Sequence, residues 1–244
     1  MFHVKHQQLL HPRSDIRSMT NSPSDRVLIS NVSRETFEKA SVLLEKHALL
    51  LDNLIKKWLW WNQSVNLFSR KTDAALLEKH IYHSFLLVFT TAVPDCRTVV
   101  DAGTGGGLPG LPMAVANGEK EFLLVDKVQK KCLAIRDIVR SLRLSNVNVM
   151  HSDISKIPDR YPARIVSKHA FPVKKILEHM KNKDWEEIAL LKGTEVLSEI
   201  DADMTRHFTF SFRAFGQLRD PFFDNRGILL IHKKDLVSDS HEQQ

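Results

Sequence analysis

The chain has 244 residues, 43% of them hydrophobic and 26% charged, enough for one large domain or a domain with an appendage and for a sizeable core. Its net charge of +6 and isoelectric point of about 9.3 favour an anionic partner, nucleic acid included. No apolar run approaches the roughly 20 residues that span a bilayer, and the amino terminus MFHVKHQQLLHPRSD lacks the apolar core and cleavage site of a secretory signal. No membrane partner is therefore expected, and a cytoplasmic location is. Cys96 and Cys132 are too few for a disulfide framework and lack metal-ligand spacing; both read as buried thiols, and no metal is expected.

Residues 1–31 are polar, contain Pro12 and Pro23 and show no period, which reads as a disordered arm. From Ser33 to Trp61, Phe37, Ala40, Leu44, Leu51, Leu54, Trp58 and Trp61 recur at helical spacing, with Ser33 placed as a cap and Glu35 in the first turn. A cation- and asparagine-rich turn, WNQSVNLFSRKTD, precedes a second helix from Thr72 to about Thr91. Residues 32–71 are read as an amino-terminal helical element, 72–234 as the main domain and 235–244 as a polar tail.

From Thr98 onward, apolar runs at 98–102, 121–126, 146–151, 163–167 and 187–193 alternate with helical stretches at 108–117, 128–144 and 173–181. Runs that are apolar throughout and joined by helices describe parallel strands covered on both faces. The last two segments, HFTFSFRAF at 207–215 and RGILLIHKK at 226–234, are linked by a short loop and read as an antiparallel hairpin. The predicted fold class is α/β: a Rossmann-like, doubly wound, mostly parallel sheet with a terminal antiparallel hairpin and an amino-terminal helical element.

Five of the nine glycines fall in TVVDAGTGGGLPG at 98–110, between a strand and a helix. Ligands of doubly wound sheets lie beyond the carboxyl ends of the strands, and bare backbone there lets a nucleotide-like molecule come close. Gly105 to Gly110 satisfies the dinucleotide pattern G-x-G-x-x-G, with Asp126 at the distance expected of a ribose ligand. The register Asp101-x-Gly103-x-Gly105-x-Gly107 instead resembles the first motif of class I S-adenosylmethionine-dependent methyltransferases. A glycine-rich turn without a ligand is the third reading. The acidic strand end at Asp101 and the terminal hairpin favour the methyltransferase register; Asp126 suits both cofactors, since each carries an adenosine ribose.

On these residues the chain closely resembles the bacterial small-subunit ribosomal RNA methyltransferase G family, also called glucose-inhibited division protein B. VVDAGTGGGLPGLPMAV is similar to its D-x-G-T-G-x-G-x-P-G-x-P, Trp61-Asn62 with Asn66-Leu67 to its W-N-x-x-x-N-L, and His80 with Ser84 to its H-x-x-D-S. Leu191-Lys192-Gly193 and the run from Arg226 resemble later elements, so the likeness covers roughly residues 35–234. It implies methyl transfer from S-adenosylmethionine to N7 of a guanine in 16S rRNA, nucleotide 527 in the usual rRNA numbering, with rRNA or a small-subunit ribosomal particle as partner. It also implies cofactor contacts at Gly103 and Leu108, at Ile154 and Ser155 for adenine, and at Lys168, besides Asp101, Gly105 and Asp126.

Three departures mark a divergent member: Lys168 replaces an arginine, exchanging a planar fork for a point charge; Asp153-Ile154-Ser155 replaces Arg-Ala-Glu, leaving a backbone N–H to serve adenine; and His83 replaces an aspartate, removing a salt bridge. No catalytic residue is assigned firmly, because guanine N7 carries a free lone pair and its attack needs no general base. Lys168, His169 and Phe171 are candidates for the substrate and cofactor cleft, Phe171 either stacking on an extruded guanine or belonging to the core. His80 and His151 read as satisfied structural histidines. Lys56, Lys57, Arg70, Lys71, Lys127, Lys130 and Lys131 read run by run as solvated faces and, together with the net charge, as a phosphate-binding rim. A methyltransferase of a small metabolite, an NAD(P)-dependent oxidoreductase and a non-catalytic RNA-binding module are the alternatives. The sequence leaves the oligomeric state open, with a monomer favoured.

Overall fold

The computed structural model describes residues 27–91, 94–158 and 163–234. Eight strands form one sheet in the order β1-β7-β8-β6-β5-β2-β3-β4. The parallel part comprises β2 (Thr98–Ala102), β3 (Glu121–Asp126), β4 (Val147–His151), β5 (Ala163–Lys168) and β6 (Trp185–Gly193). β7 (Phe208–Ala214) and β8 (Arg226–Lys233) pair antiparallel, and β8 pairs antiparallel with β6. The expected doubly wound sheet with a terminal hairpin is thus the observed one. Its strands carry near-continuous apolar runs because both faces are covered: Val99, Leu124 and Val166 join one core cluster, while Val100, Val125 and Ile165 join the other.

Two readings of the amino-terminal region need correction. Residues 1–26 lie outside the described residues, but Val27–Asn31, read as part of an arm, form strand β1, which pairs in parallel with β7 from Val27↔Phe210 to Asn31↔Ala214. Five residues are too few to show a period, and their partner lies almost a whole chain away, so no local signal marks them. The single helix read from Ser33 to Trp61 is two, α1 (Arg34–Lys46) and α2 (Ala48–Asn62), broken at His47. The Ser33 hydroxyl does cap α1, accepting from the Thr36 N–H at 3.2 Å. Phe37, Ala40 and Leu44 on α1, and Leu51, Leu54 and Trp58 on α2, are buried as their spacing implied.

α3 (Ala74–Phe89) packs against α1 and against α4 (Gly110–Ala116), and α5 (Gln129–Ser141) covers the same side of the sheet. One cluster runs from Phe37 and Trp58 through Ile81 and Leu111 to Phe215, so the helical element and the sheet share a core. α6 (Val173–Met180) and the short α7 (Met204–His207) cover the other face. Where the aspartate of the resembled motif is absent, His83 is fully buried among Phe215, Phe222 and Phe223, and burial drives its pKa far down, so it is neutral. Among the described residues it forms no ion pair.

Between β5, β6 and β8 lies a buried charged group. The Arg164 Nε donates to Glu187 Oε1 at 2.6 Å and its Nη1 to the Leu87 carbonyl at 2.8 Å, while Glu187 Oε2 faces His232 Nε2 at 3.1 Å. Removing one partner of a buried pair strands the other charge at a penalty of about 3–5 kcal/mol. Arg164→Met is expected to lower the unfolding free energy by about that amount, measured as a fall in the urea midpoint without a change of slope.

Candidate functional site

The loop between β2 and α4 is held by two carboxylates. Asp101, at the end of β2, is completely buried; its Oδ2 accepts from the Thr104 hydroxyl at 2.6 Å and from the Gly110 N–H at 2.9 Å. Among the described residues its Oδ1 is buried without a partner, and burial raises the carboxyl pKa from its ordinary 3.8 to about 7. Asp126, at the end of β3, accepts from the Gly105 N–H at 2.9 Å and from the Val128 N–H at 2.8 Å. Each oxygen of Asp126 thereby fixes one stretch of backbone beside the cavity and keeps a second lone pair.

The amino-terminal helices hold the same loop from behind. The Trp58 indole N–H donates to the Gly106 carbonyl at 2.6 Å, and the Phe68 ring stands edge-on to Trp58 at 5.4 Å. A Cβ on Gly106 would lie 2.3 Å from Phe68, one on Gly107 2.4 Å from Leu111, and one on Gly110 2.7 Å from Asp101. Much of the glycine density therefore answers internal packing rather than a ligand, a correction to its reading as a bare surface throughout. Gly105 is different: at φ +57° its Cβ would meet nothing nearer than the Gly103 carbonyl at 4.0 Å.

Above Gly105 opens a cavity of about 410 Å³ at the carboxyl ends of β2, β3 and β5, within the range of small-molecule sites. Of the expected cofactor residues, Gly103, Gly105, Asp126, Ile154 and Lys168 line it. Asp101, Leu108 and Ser155 do not: the first two lie buried beneath the loop, and the Ser155 N–H, expected to be available to a base, is taken at 2.9 Å by the Asp153 carboxylate. Phe171 packs on the core, as one of its two readings had it, and also lines the cavity; a Cβ on Gly103 would lie 2.9 Å from it. His169 lies outside the cavity, with φ +51°.

Lys175 and His179 also line the cavity and were not read from the sequence; their i, i+4 spacing on α6 puts both on one face, a signal that needed the helix's orientation. His151, read as a satisfied histidine, has its Nε2 3.1 Å from the Lys127 carbonyl, whereas His80, also read so, leaves a buried Nδ1 without a partner among the described residues. Burial and the nearby cations depress His80 to about 3 and His169 to about 4. Both cysteines are buried, with pKa values raised by burial, so both are thiols. Among the described residues no group of histidines, cysteines and carboxylates could hold a metal, and no helix is long and apolar enough to cross a membrane.

Residues 47–218 match the family model described as rRNA small subunit methyltransferase G. The chain belongs to that family. The methyltransferase G of Chlorobaculum tepidum is 32% identical over 202 residues, 79% of this chain and 89% of the relative. That of Vibrio campbellii is 33% identical over 178 residues, 71% of this chain and 80% of the relative. A crystal structure of a mutant MtNAS resembles the chain in fold alone, with TM-score 0.50 and 13% identity over 83% of this chain and 78% of that one.

In this rRNA methyltransferase the fold is an α/β doubly wound sheet, and the resembled segments outside the glycine loop have structural work. Asn62 Oδ1 accepts from the Leu67 and Phe68 N–H groups at 3.0 and 2.9 Å, which places Phe68 over Gly106. The Trp61 indole N–H reaches Asp137 of α5 at 3.0 Å. The Ser84 hydroxyl donates to the His80 carbonyl at 2.8 Å inside α3.

Because Asp101 binds its proton more tightly when folded, the native state holds more protons than the unfolded chain between pH 3.8 and about 7. Its contribution to stability is full below that window and is lost as pH rises through about 7. The difference in unfolding free energy between wild type and Asp101→Asn should fall across that window and level off above it. Chemical denaturation at a series of pH values measures the difference; a flat one would contradict the assignment.

Proposed function

We propose that the protein transfers a methyl group from S-adenosylmethionine to N7 of a guanine in 16S rRNA. The observation that carries this reading is the open backbone at Gly105, facing a cavity at the carboxyl end of a parallel sheet in a chain of the rRNA methyltransferase G family. The cavity fits the cofactor by its own chemistry. Gly103 and Gly105 offer main chain without side chains, the Asp126 carboxylate offers spare lone pairs to ribose hydroxyls, and Ile154 offers an apolar side to an adenine ring. When bound, S-adenosylmethionine supplies a methyl group already activated on a sulfonium.

The surrounding residues suit N7 better than other positions. An N7 lone pair accepts a methyl group without losing a proton first, so the neutral His80 and His169 need not act as bases. Attack at a pyrimidine carbon through a protein thiolate finds no support, because Cys96 and Cys132 are buried thiols and neither lines the cavity. What remains for the protein is alignment of the guanine with the donor and exclusion of water. Lys127, Lys131 and Lys175 at the cavity mouth bring positive charge to the side from which a polyanion arrives. Acting on rRNA or an assembling small subunit, the protein would work in the cytoplasm.

Wild-type protein given S-adenosylmethionine and 16S rRNA or small-subunit particles is expected to yield N7-methylguanine, read by mass spectrometry of the nucleosides. Its absence from a protein that binds S-adenosylhomocysteine normally would overturn the reading. The cavity placement is checked separately. Gly105→Ala should cost about 1–2 kcal/mol of stability for the left-handed backbone and weaken S-adenosylhomocysteine about tenfold or more by calorimetry. Gly118→Ala, whose Cβ meets nothing within 4 Å, should change neither.

A further inference from the structure

The carboxyl ends of β5 and β6 and the start of β8 meet beside the glycine-loop cavity. Pairing sets Lys168 of β5 against Leu191 and Arg226 of β8 against Gly193, so the two cations flank one end of β6 from opposite sides. The Arg226 guanidinium lies 4.0 Å over the Phe222 ring, and the same ring meets His80 edge-on at 4.9 Å. Stacking on Phe222 positions the guanidinium and leaves its N–H donors uncommitted: among the described residues neither the Arg226 nor the Lys168 side chain makes a hydrogen bond or an ion pair. Lys192 projects to the other face of the sheet, where it pairs with Glu199 at 3.2 Å.

This pairing of cations acts against itself. Lys168 is pushed down to about 8, first by burial and then by the charge of Arg226, with Asp101 opposing. Burial also lowers Arg226, opposed only by Glu195, which forms no ion pair with it among the described residues. Two like charges drawn partly out of water without a matched acid lower the stability of the free protein, and an anion set between them would relieve that. The place is also the one where a doubly wound sheet receives ligands.

We propose that Lys168 and Arg226 bind one phosphodiester group of the substrate RNA, fixing the backbone of the target nucleotide so that its base faces the glycine loop. The guanidinium offers a planar fork to two phosphate oxygens and the ammonium a point charge to a third. The proposal rests on the RNA-methylation reading. Inorganic phosphate presents the same oxygens, so both sources enter the test.

The affinity of the full chain for a short single-stranded RNA is measured by fluorescence anisotropy from about 50 to about 200 mM salt. Arg226→Gln should lower the slope of log affinity against log salt by about 0.7, the share of one phosphate contact on a single strand. Arg226→Lys should restore the slope, and S-adenosylhomocysteine affinity should stay at the wild-type value in both. An unchanged slope in Arg226→Gln overturns the proposal. Should that variant lose S-adenosylhomocysteine binding as well, the wild type decides: saturable shifts of the His169, Gly193 and Arg226 amides on titration with inorganic phosphate support the site, and their absence overturns it. Phosphate-induced shifts together with an unchanged RNA slope would mean a free-anion site and also overturn it. Missing N7-methylguanine from wild type would instead sink the functional reading, independently of these slopes.

Discussion

The glycine loop keeps its shape through one buried carboxylate. Asp101 binds the Thr104 hydroxyl and the Gly110 N–H with a single oxygen, joining the end of β2 to the start of α4 across the loop. Around that joint the chain has little room: Phe68, Leu111 and Asp101 occupy the space that side chains on Gly106, Gly107 and Gly110 would need. A carboxyl with no exposure and one unpaired oxygen is an expensive group to keep. The protein keeps it because the loop's left-handed turns at Gly103, Gly105 and Gly107 have to be held against their own flexibility.

The amino-terminal helices belong to the same mechanical unit. Asn62 ties down the backbone before Phe68, Phe68 covers Gly106, and Trp58 holds the Gly106 carbonyl, so a segment distant in sequence backs the loop that borders the cavity. The helical element therefore acts as a buttress of the loop. A change on α2 or in the turn after it would reach the cavity through three contacts and no exposed surface.

The sheet was legible in the sequence because its parallel strands are short, apolar and closed by glycine or charge; β2 and β3 begin and end where the residues imply. The loop's location was legible for the same reason. The cause of its glycines was not, since Phe68 and Leu111 act across space and leave no mark within the motif. Leu108 and Ser155 illustrate a different limit. A motif fixes a residue's position along the chain, but Leu108 is buried and the Ser155 N–H already donates to a neighbouring carboxylate, and neither residue lines the cavity. The break at His47 was hidden because both helices bury apolar residues at compatible spacing.

The pairing of β1 with β7 ties the start of the described chain to nearly its end. Contacts between such distant segments carry a large loop-closure entropy and form late. On the ribosome, β1 must therefore wait, its edge unsatisfied, until almost everything after it has been synthesised. The parallel strands between can associate earlier, so the glycine loop is able to take shape before the two ends of the molecule are joined.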